Sequence, residues 1–507
     1  MAKAHYLSIN TYVNLLHTNQ KQIIMLPLTN IKLTNLNSKK EFFFNLKLSK
    51  SILLGFAITC LSQYEAKAQF TLTGQLRNRV EMRAGQGTLQ QDGDKAALFT
   101  SQRTRLSAGY TGYRFKIYTS LQDVRVWGQD ASSINRTTTE ANNGILLHEA
   151  WAEISLIDTL STIQNLSIKA GRQEIAYDDQ KVLGSLDWLQ QGRRHDAIVF
   201  KYANKGWIAD VGAAFNQNKE NNTGTIYNGT NSAYGAGTNG IGTMYKSFQY
   251  AYIGRKFFFG DLSFLFFKDD FNKYTNVTAG TPPVTTKVNG EGVWSRNTTG
   301  IYYNVNATRK LNFMGSFYHQ GGHDKDGRSL SANMASITST YQIGRKLFVG
   351  PGVDYLSGDD GTKTVTATSD NNRFDPLYGT PHKFWGSMDY FYAANGFGKQ
   401  GLLNYFFKIK YNAKDNLSFF LDVHGFESAN KITNGAGGKL NSYLGTEVDL
   451  TVRYNLTKII NFEAGYSIMK ATNSLASAPV KNVANADLMP QFAYVMLNIK
   501  PNFLAKK

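Results

Sequence analysis

Cysteine is almost missing: Cys60 is the single one in 507 residues, so disulfides are not part of the fold and no thiolate metal cluster is possible. Long apolar runs are also missing. The longest, Ser51 to Leu61, is well short of the ~20 residues a helix needs to cross a bilayer. Acidic side chains are in deficit, with 37 Asp+Glu against 55 Lys+Arg and a net charge of +18. Proline is scarce at 9, whereas glycine reaches 46 and aromatics 13%. With a mean hydropathy of −0.34, that balance excludes a helical membrane protein and suits a chain alternating apolar and polar residues along many strands.

The short apolar run has a second meaning. Lys47 and Lys50 precede it and Ala66-Lys67-Ala68 follows it, the basic, apolar, small-x-small order of a secretory signal peptide. Cleavage is expected after Ala68, giving an N-terminal extension and signal over 1–68 and a mature chain over 69–507. Residues 1–46 are too long for an ordinary basic head, so translation is expected to start further along. Eight Lys and two acidic residues precede Gln69, which leaves +12 for the mature chain. Such a charge fits nucleic acid, anionic lipid or a polyanionic solute, and export argues against the first.

Period-2 alternation marks the strands. Phe70, Leu72, Leu76, Val80 and Met82 share one face, and Thr71, Thr73, Gln75, Arg77, Arg79, Glu81 and Arg83 the other. Val448, Leu450, Val452 and Tyr454 alternate with Glu447, Asp449, Thr451 and Arg453. Long polar stretches near 85–97, 128–144, 176–194, 218–243, 269–294, 321–332 and 358–382 alternate with tight turns, as in a transmembrane antiparallel β-barrel with short periplasmic turns and long extracellular loops. Counting by periodicity gives nineteen strands. Assigning His382 to Tyr392 to an external loop restores strict alternation and gives eighteen, with sixteen as the alternative.

The lumen faces near the start carry many guanidinium groups. Arg77, Arg79 and Arg83 are followed by Arg103 and Arg105 on the second strand, and by Arg114 and Lys116 on the third. Arginine stays charged and grips carboxylates bidentately. Such a ladder either passes anionic solutes or braces the wall against Glu81, Glu149, Glu153 and their neighbours; the two roles are compatible. Gly235 to Gly240 match a dinucleotide motif by letter only, lacking the strand and helix it requires. His319 and His323 are separated by two glycines, against a helical metal pair, and the Asp324 turn has Ala335 where a calcium loop needs Glu. No nucleophile is paired to a base; the weak pairs His148 with Glu149 and His195 with Asp196 leave a barrel enzyme as the least favoured reading. No cofactor or metal is expected.

The chain resembles the alginate-export family of outer-membrane porins. The resemblance rests on GQLRNRVEMR from Gly74, RTRL from Arg103, QDVRVWG from Gln122, HEAWAEI from His148 and, above all, GRQEIAYDDQKVLGSLDWLQQGRRHDAI from Gly171. It returns in FDPLYGTPHKFWGSMDYF from Phe374 and GTEVDLTVRYNL from Gly445. It implies an 18-stranded outer-membrane barrel whose electropositive lumen passes an acidic polysaccharide without chemistry, alongside outer-membrane lipid and a periplasmic secretion scaffold. Matching positions add Arg125, Arg172, Arg193 and Arg194 to Arg77, Arg79, Arg103 and Arg105 as pore residues, with Glu81, Asp123, Glu149, Glu153, Glu174 and Asp196 as partners. In the second half Arg453, Lys408 and Lys410 are the main lumen cations, facing Asp422, Glu447, Asp449 and Glu463. A general or oligosaccharide-selective porin shares all these features and is the alternative function.

Overall fold

The computed structural model describes residues 69–504, apart from 130–143, 159–163, 217–219, 221, 223–244, 364–365, 367–368, 393–398 and 435–436. The signal segment and the Gly235–Gly240 motif lie outside the described residues. Eighteen antiparallel strands form one sheet: β1 Gln69–Ala84, β2 Ala97–Gly112, β3 Phe115–Val126, β4 Leu146–Ser155, β5 Asn165–Gln173, β6 His195–Asn204, β7 Trp207–Phe215, β8 Ser247–Phe257, β9 Gly260–Ala279, β10 Val284–Asn306, β11 Leu311–His323, β12 Ser329–Ile343, β13 Leu347–Leu356, β14 Leu402–Lys414, β15 Leu417–Ser428, β16 Tyr443–Asn455, β17 Ile460–Ala471 and β18 Gln491–Ile499. A two-residue pair, Ile432–Thr433 with Lys439–Leu440, sits in the loop after β15.

The sheet closes on itself because β1 pairs with β2 (Gln69↔Thr111) on one side and with β18 (Leu76↔Ile499) on the other. Closure removes every edge, the condition for strands to live in lipid. The start of β1 and the end of β18 both lie at the rim of the short turns. Beyond β18 the chain folds back, the Gly74 amide donating to Pro501 O and the Phe503 amide to Leu72 O.

Alternation does what the sequence pattern predicts. Ile198, Phe200, Val211, Ile253, Phe264, Ile301, Phe317 and Phe407 are exposed on the outer wall, and their inward neighbours Val199, Tyr252, Leu265, Tyr302, Tyr318 and Phe406 are buried. The aromatic segment from Phe257 to Phe267 is therefore split: Phe264 and Phe266 face lipid, whereas Phe267 is buried inside. Two polar stretches expected as loops are paired strand instead. β9 and β10 stay in register from Gly260↔Val305 out to Ala279↔Val284, with one irregularity between Asn289 and Val293. The Thr, Val and Asn residues there satisfy their backbone groups by pairing beyond the apolar band. β11 and β12 likewise continue to His323↔Ser329, closed by a turn in which the Gly327 amide donates to Asp324 O.

The barrel is not empty. The loop 174–194 between β5 and β6 and the loop 357–401 between β13 and β14 supply buried Ile175, Val182 and Leu183, and Phe374, Leu377, Tyr378, Trp385, Met388, Tyr390, Phe391 and Tyr392. Leu183 and Tyr378 bridge in parallel, with the Gly184 amide donating to Tyr378 O and the Tyr378 amide to Val182 O. Gly379 makes this approach possible, since a Cβ there would stand 2.0 Å from Lys181 O. A third insert, 472–490, opens with a single turn, α1 Asn473–Ala476, capped by the Thr472 hydroxyl, and packs Leu475 and Leu488 against the same core.

Candidate functional site

The arginine ladder of β1 and β2 faces inward and grips the loop 174–194. Arg77 donates to Asp187 O (2.7 Å), Leu189 O (3.1 Å) and Gln190 Oε1 (2.8 Å). Arg103 reaches Asp187 Oδ1 (2.8 Å) and Gln75 Oε1 (2.9 Å), and Arg79 reaches Trp188 O (2.8 Å). Arg77, Arg79 and Arg103 are buried at 3%, 2% and 1% exposure, so solvent barely touches them. Glu81 sits between Arg79 and Arg83 on the same face and pairs with both, at 2.7 and 2.6 Å. Arg105 donates to Gln122 Oε1 and stands 4.0 Å from Asp187. The surrounding protein pushes the Asp187 carboxyl up, but Arg103 and Arg77 outweigh it and hold the group below its ordinary value.

Trp188 joins the two loops. Arg79 lies 4.0 Å from its ring centre, and His382 of the second loop stacks on it at 4.0 Å and 9°. His382 continues to Asp389 Oδ1 at 2.7 Å. Arg193 donates to Gly379 O at 2.6 Å and is wholly enclosed, which lowers its affinity for the proton to a value of about 10.

Asp178 anchors the deepest part of the first loop, accepting from the Tyr252 and Ser263 hydroxyls at 2.8 Å each. Burial lifts its carboxyl to about 6, against the pull of those two bonds. A folded-state value above the ordinary ~3.9 means that the folded form holds the proton more tightly; its contribution is full below about pH 4 and is lost as pH rises to about 6. Thermal unfolding followed across that window should lose this slope in Asp178→Asn; an equally steep curve in the variant would assign the titration to another group.

Several candidate residues lie elsewhere than the lumen ladder. Arg125 pairs in register with Gln102, and Gln102 with Asn78, which share the outward face of Leu76 and Val80. Arg125 and Asp123 therefore form their ion pair (2.7 Å) on the outside of the barrel. Arg172 and Asp196 do the same: Lys169, Gly171 and Gln173 point inward, so Arg172 points out, forming a two-bond pair with Asp196 at 2.8 and 2.9 Å. Arg194, in the loop just before β6, is half-buried, and the charges acting on it are Arg172 and Asp196. Arg114 is not on a strand face but in the β2–β3 turn, at φ 62°, donating to Ser155 O and Leu156 O. Glu447 and Asp449 do not pair with Arg453, whose partner is Glu463 (2.7 Å). They accept backbone amides of the second loop instead, from Met388 (2.8 Å) and Ser387 (3.4 Å). Gly386, at φ 82°, leaves room for the Glu447 carboxylate, which a Cβ would meet at 2.4 Å.

Toward the short-turn end the inward faces of β3–β7 and β14–β18 carry Lys116, Lys169, Lys201, Lys408, Lys410 and Arg453, joined by Lys500 just past β18, against Glu153, Asp210, Asp422, Asp449 and Glu463. Cations are in excess there among the described residues. Arg77, Asp187, Trp188, Arg453, Lys458, Glu463 and Lys500 line a cavity of about 410 Å³. Tyr118 and Trp151 stack at 5.4 Å, and Lys169 Nζ lies 4.0 Å from the Trp151 ring centre. At the opposite end Arg296, Asp324, Arg328, Arg373, Asp375 and Lys399 line a second cavity of about 360 Å³. Lys169 and Lys201 escaped the sequence reading although their signal was present: each falls on the inward phase of its strand, two residues from Ser167 and Val199.

Solved structures with the same fold include two Pseudomonas aeruginosa proteins, OccK9 (OpdG) and OccK11 (OpdR). OccK9 has a TM-score of 0.54 at 12% identity, over 86% of this chain and 99% of that one. OccK11 has 0.52 at 10%, over 86% and 96%. Acinetobacter baumannii OccAB4 has 0.54 at 12%, over 87% and 100%. At these identities they speak for the fold alone. No curated protein matches the chain. The model of the family described as Alginate export matches residues 68–486. With that match over most of a closed 18-stranded barrel, the chain belongs to the alginate export family of outer-membrane pores.

Proposed function

We propose that the protein is a passive, anion-favouring conduit through which an acidic polysaccharide of alginate type leaves the cell, after removal of residues 1–68 as a signal peptide. The excess of cations at the short-turn end carries this reading. In a barrel whose first strand starts and last strand ends at that rim, it is the periplasmic entrance, where an exported polyanion arrives first. Lysines spaced along the wall offer successive weak sites to carboxylates, attracting without trapping. No bond is made or broken, so no catalytic residue, cofactor or metal is needed for passage, and a periplasmic scaffold delivering the polymer is the natural partner. The Tyr118–Trp151 stack supports a second reading, an oligosaccharide-selective porin, because flat aromatic faces suit sugar rings whatever their charge.

A polyuronate added on the periplasmic side of a planar bilayer should interrupt the current, and a neutral glucan of equal length should not. Equal block by both polymers favours the oligosaccharide porin; block by neither rejects both readings.

A further inference from the structure

We propose that His148, Glu149 and Glu174 form a divalent zinc-type metal site that fastens the root of the loop 174–194 to β4. The sequence separates the partners by 26 positions; the fold brings them together through an irregularity in β4. Between β3 and β4 the register shifts, Ser120 pairing with Glu149 but Leu121 with Leu147. His148 is the extra residue. It is buried at 1% exposure, and its Nε2 lies 3.1 Å from Glu174 Oε1. Glu149 Oε1 accepts the Glu174 amide at 3.1 Å. One donor atom from each of the three side chains lies within 4.8 Å of the other two.

Two carboxylates thus converge on one imidazole, and neither is ion-paired to a lysine or arginine among the described residues. Arg105, whose field they feel, donates Nε to Gln122 and stands 4.0 Å from Asp187, but makes no ion pair with either carboxylate. Converging carboxylates repel unless a cation lies between them. One nitrogen and two oxygen donors suit Zn²⁺, with water completing the shell, better than Ca²⁺ or Mg²⁺, which prefer all-oxygen cages. Glu174 directly follows β5, so an ion there ties β4 to the first residue of the loop that Arg77 and Arg103 hold at its far end.

The test is titration of ZnCl₂ into the full-length protein in detergent, stripped with a chelator beforehand, read by calorimetry and by thermal unfolding. Saturable binding of one equivalent with a raised unfolding temperature is expected, with CaCl₂ and MgCl₂ failing at the same concentrations. Glu174→Gln and His148→Ala, each removing a direct ligand, should each weaken it by at least about tenfold to a hundredfold, the cost of losing even an outer-shell support. Glu149→Gln, an isosteric change, serves if His148→Ala does not fold. Absence of zinc binding, or zinc binding unchanged in all these variants, overturns the site.

Discussion

Arg296→Met should detach the second lumen loop from the wall and raise single-channel conductance. Arg296 is enclosed between Asp269, which it meets through two bonds of 3.0 and 2.6 Å, and Asp375 of the loop at 2.6 Å. Tyr378 donates to the same Asp269 at 2.8 Å, and Gln320 exchanges bonds with the Asp375 backbone. Removing the guanidinium leaves two buried carboxylates facing each other, a loss of about 3–5 kcal/mol for breaking a buried pair from one side. The wall strands keep their ladders, so the strain falls on the loop. Protease cleavage within 370–380 should become fast, and adding Asp269→Asn with Asp375→Asn should restore protection. If conductance and protection both match the parent protein, the triad does not hold the loop.

The triple change Arg77→Gln, Arg79→Gln, Arg103→Gln should act on the other loop. These side chains supply charge-assisted bonds to Asp187, Trp188, Leu189 and Gln190, each worth about 1.5–3 kcal/mol. Their loss should free Trp188 from its place between Arg79 and His382, giving larger and noisier currents with only a modest change in ion preference. A collapse of anion preference with quiet currents would instead assign these arginines to the conducting path. The experiment therefore separates bracing from lining, which their spacing along β1 and β2 leaves equivalent.

The wall was legible because lipid on one side and water on the other impose a period of two, and eighteen strands followed once His382 to Tyr392 was given to a loop. Those residues are indeed loop, with a short 3-10 turn at Pro381–Lys383, but they fold into the barrel instead of lying outside it, with Trp385, Met388, Tyr390, Phe391 and Tyr392 buried. What alternation does not encode is where a loop goes. The segment 176–194 is polar enough to read as extracellular, yet Trp188 and Leu183 turn inside because arginines on β1 and β2 satisfy its carbonyls. Facing was lost at Arg125 and Arg172, where the family motif suggested the lumen but the strand phase, set by Leu121 and by Lys169, points outward. The metal-type cluster was hidden for a related reason: a one-residue bulge at His148 breaks the period that sequence reasoning relies on.

Anion preference of the pore is read from the reversal potential across a bilayer with a salt gradient. The parent protein should prefer chloride over potassium, and that preference should fall toward neutrality in the triple variant Lys116→Gln, Lys169→Gln, Lys201→Gln. Cation preference in the parent protein, or anion preference untouched by the three substitutions, would contradict the proposed anion-favouring pore.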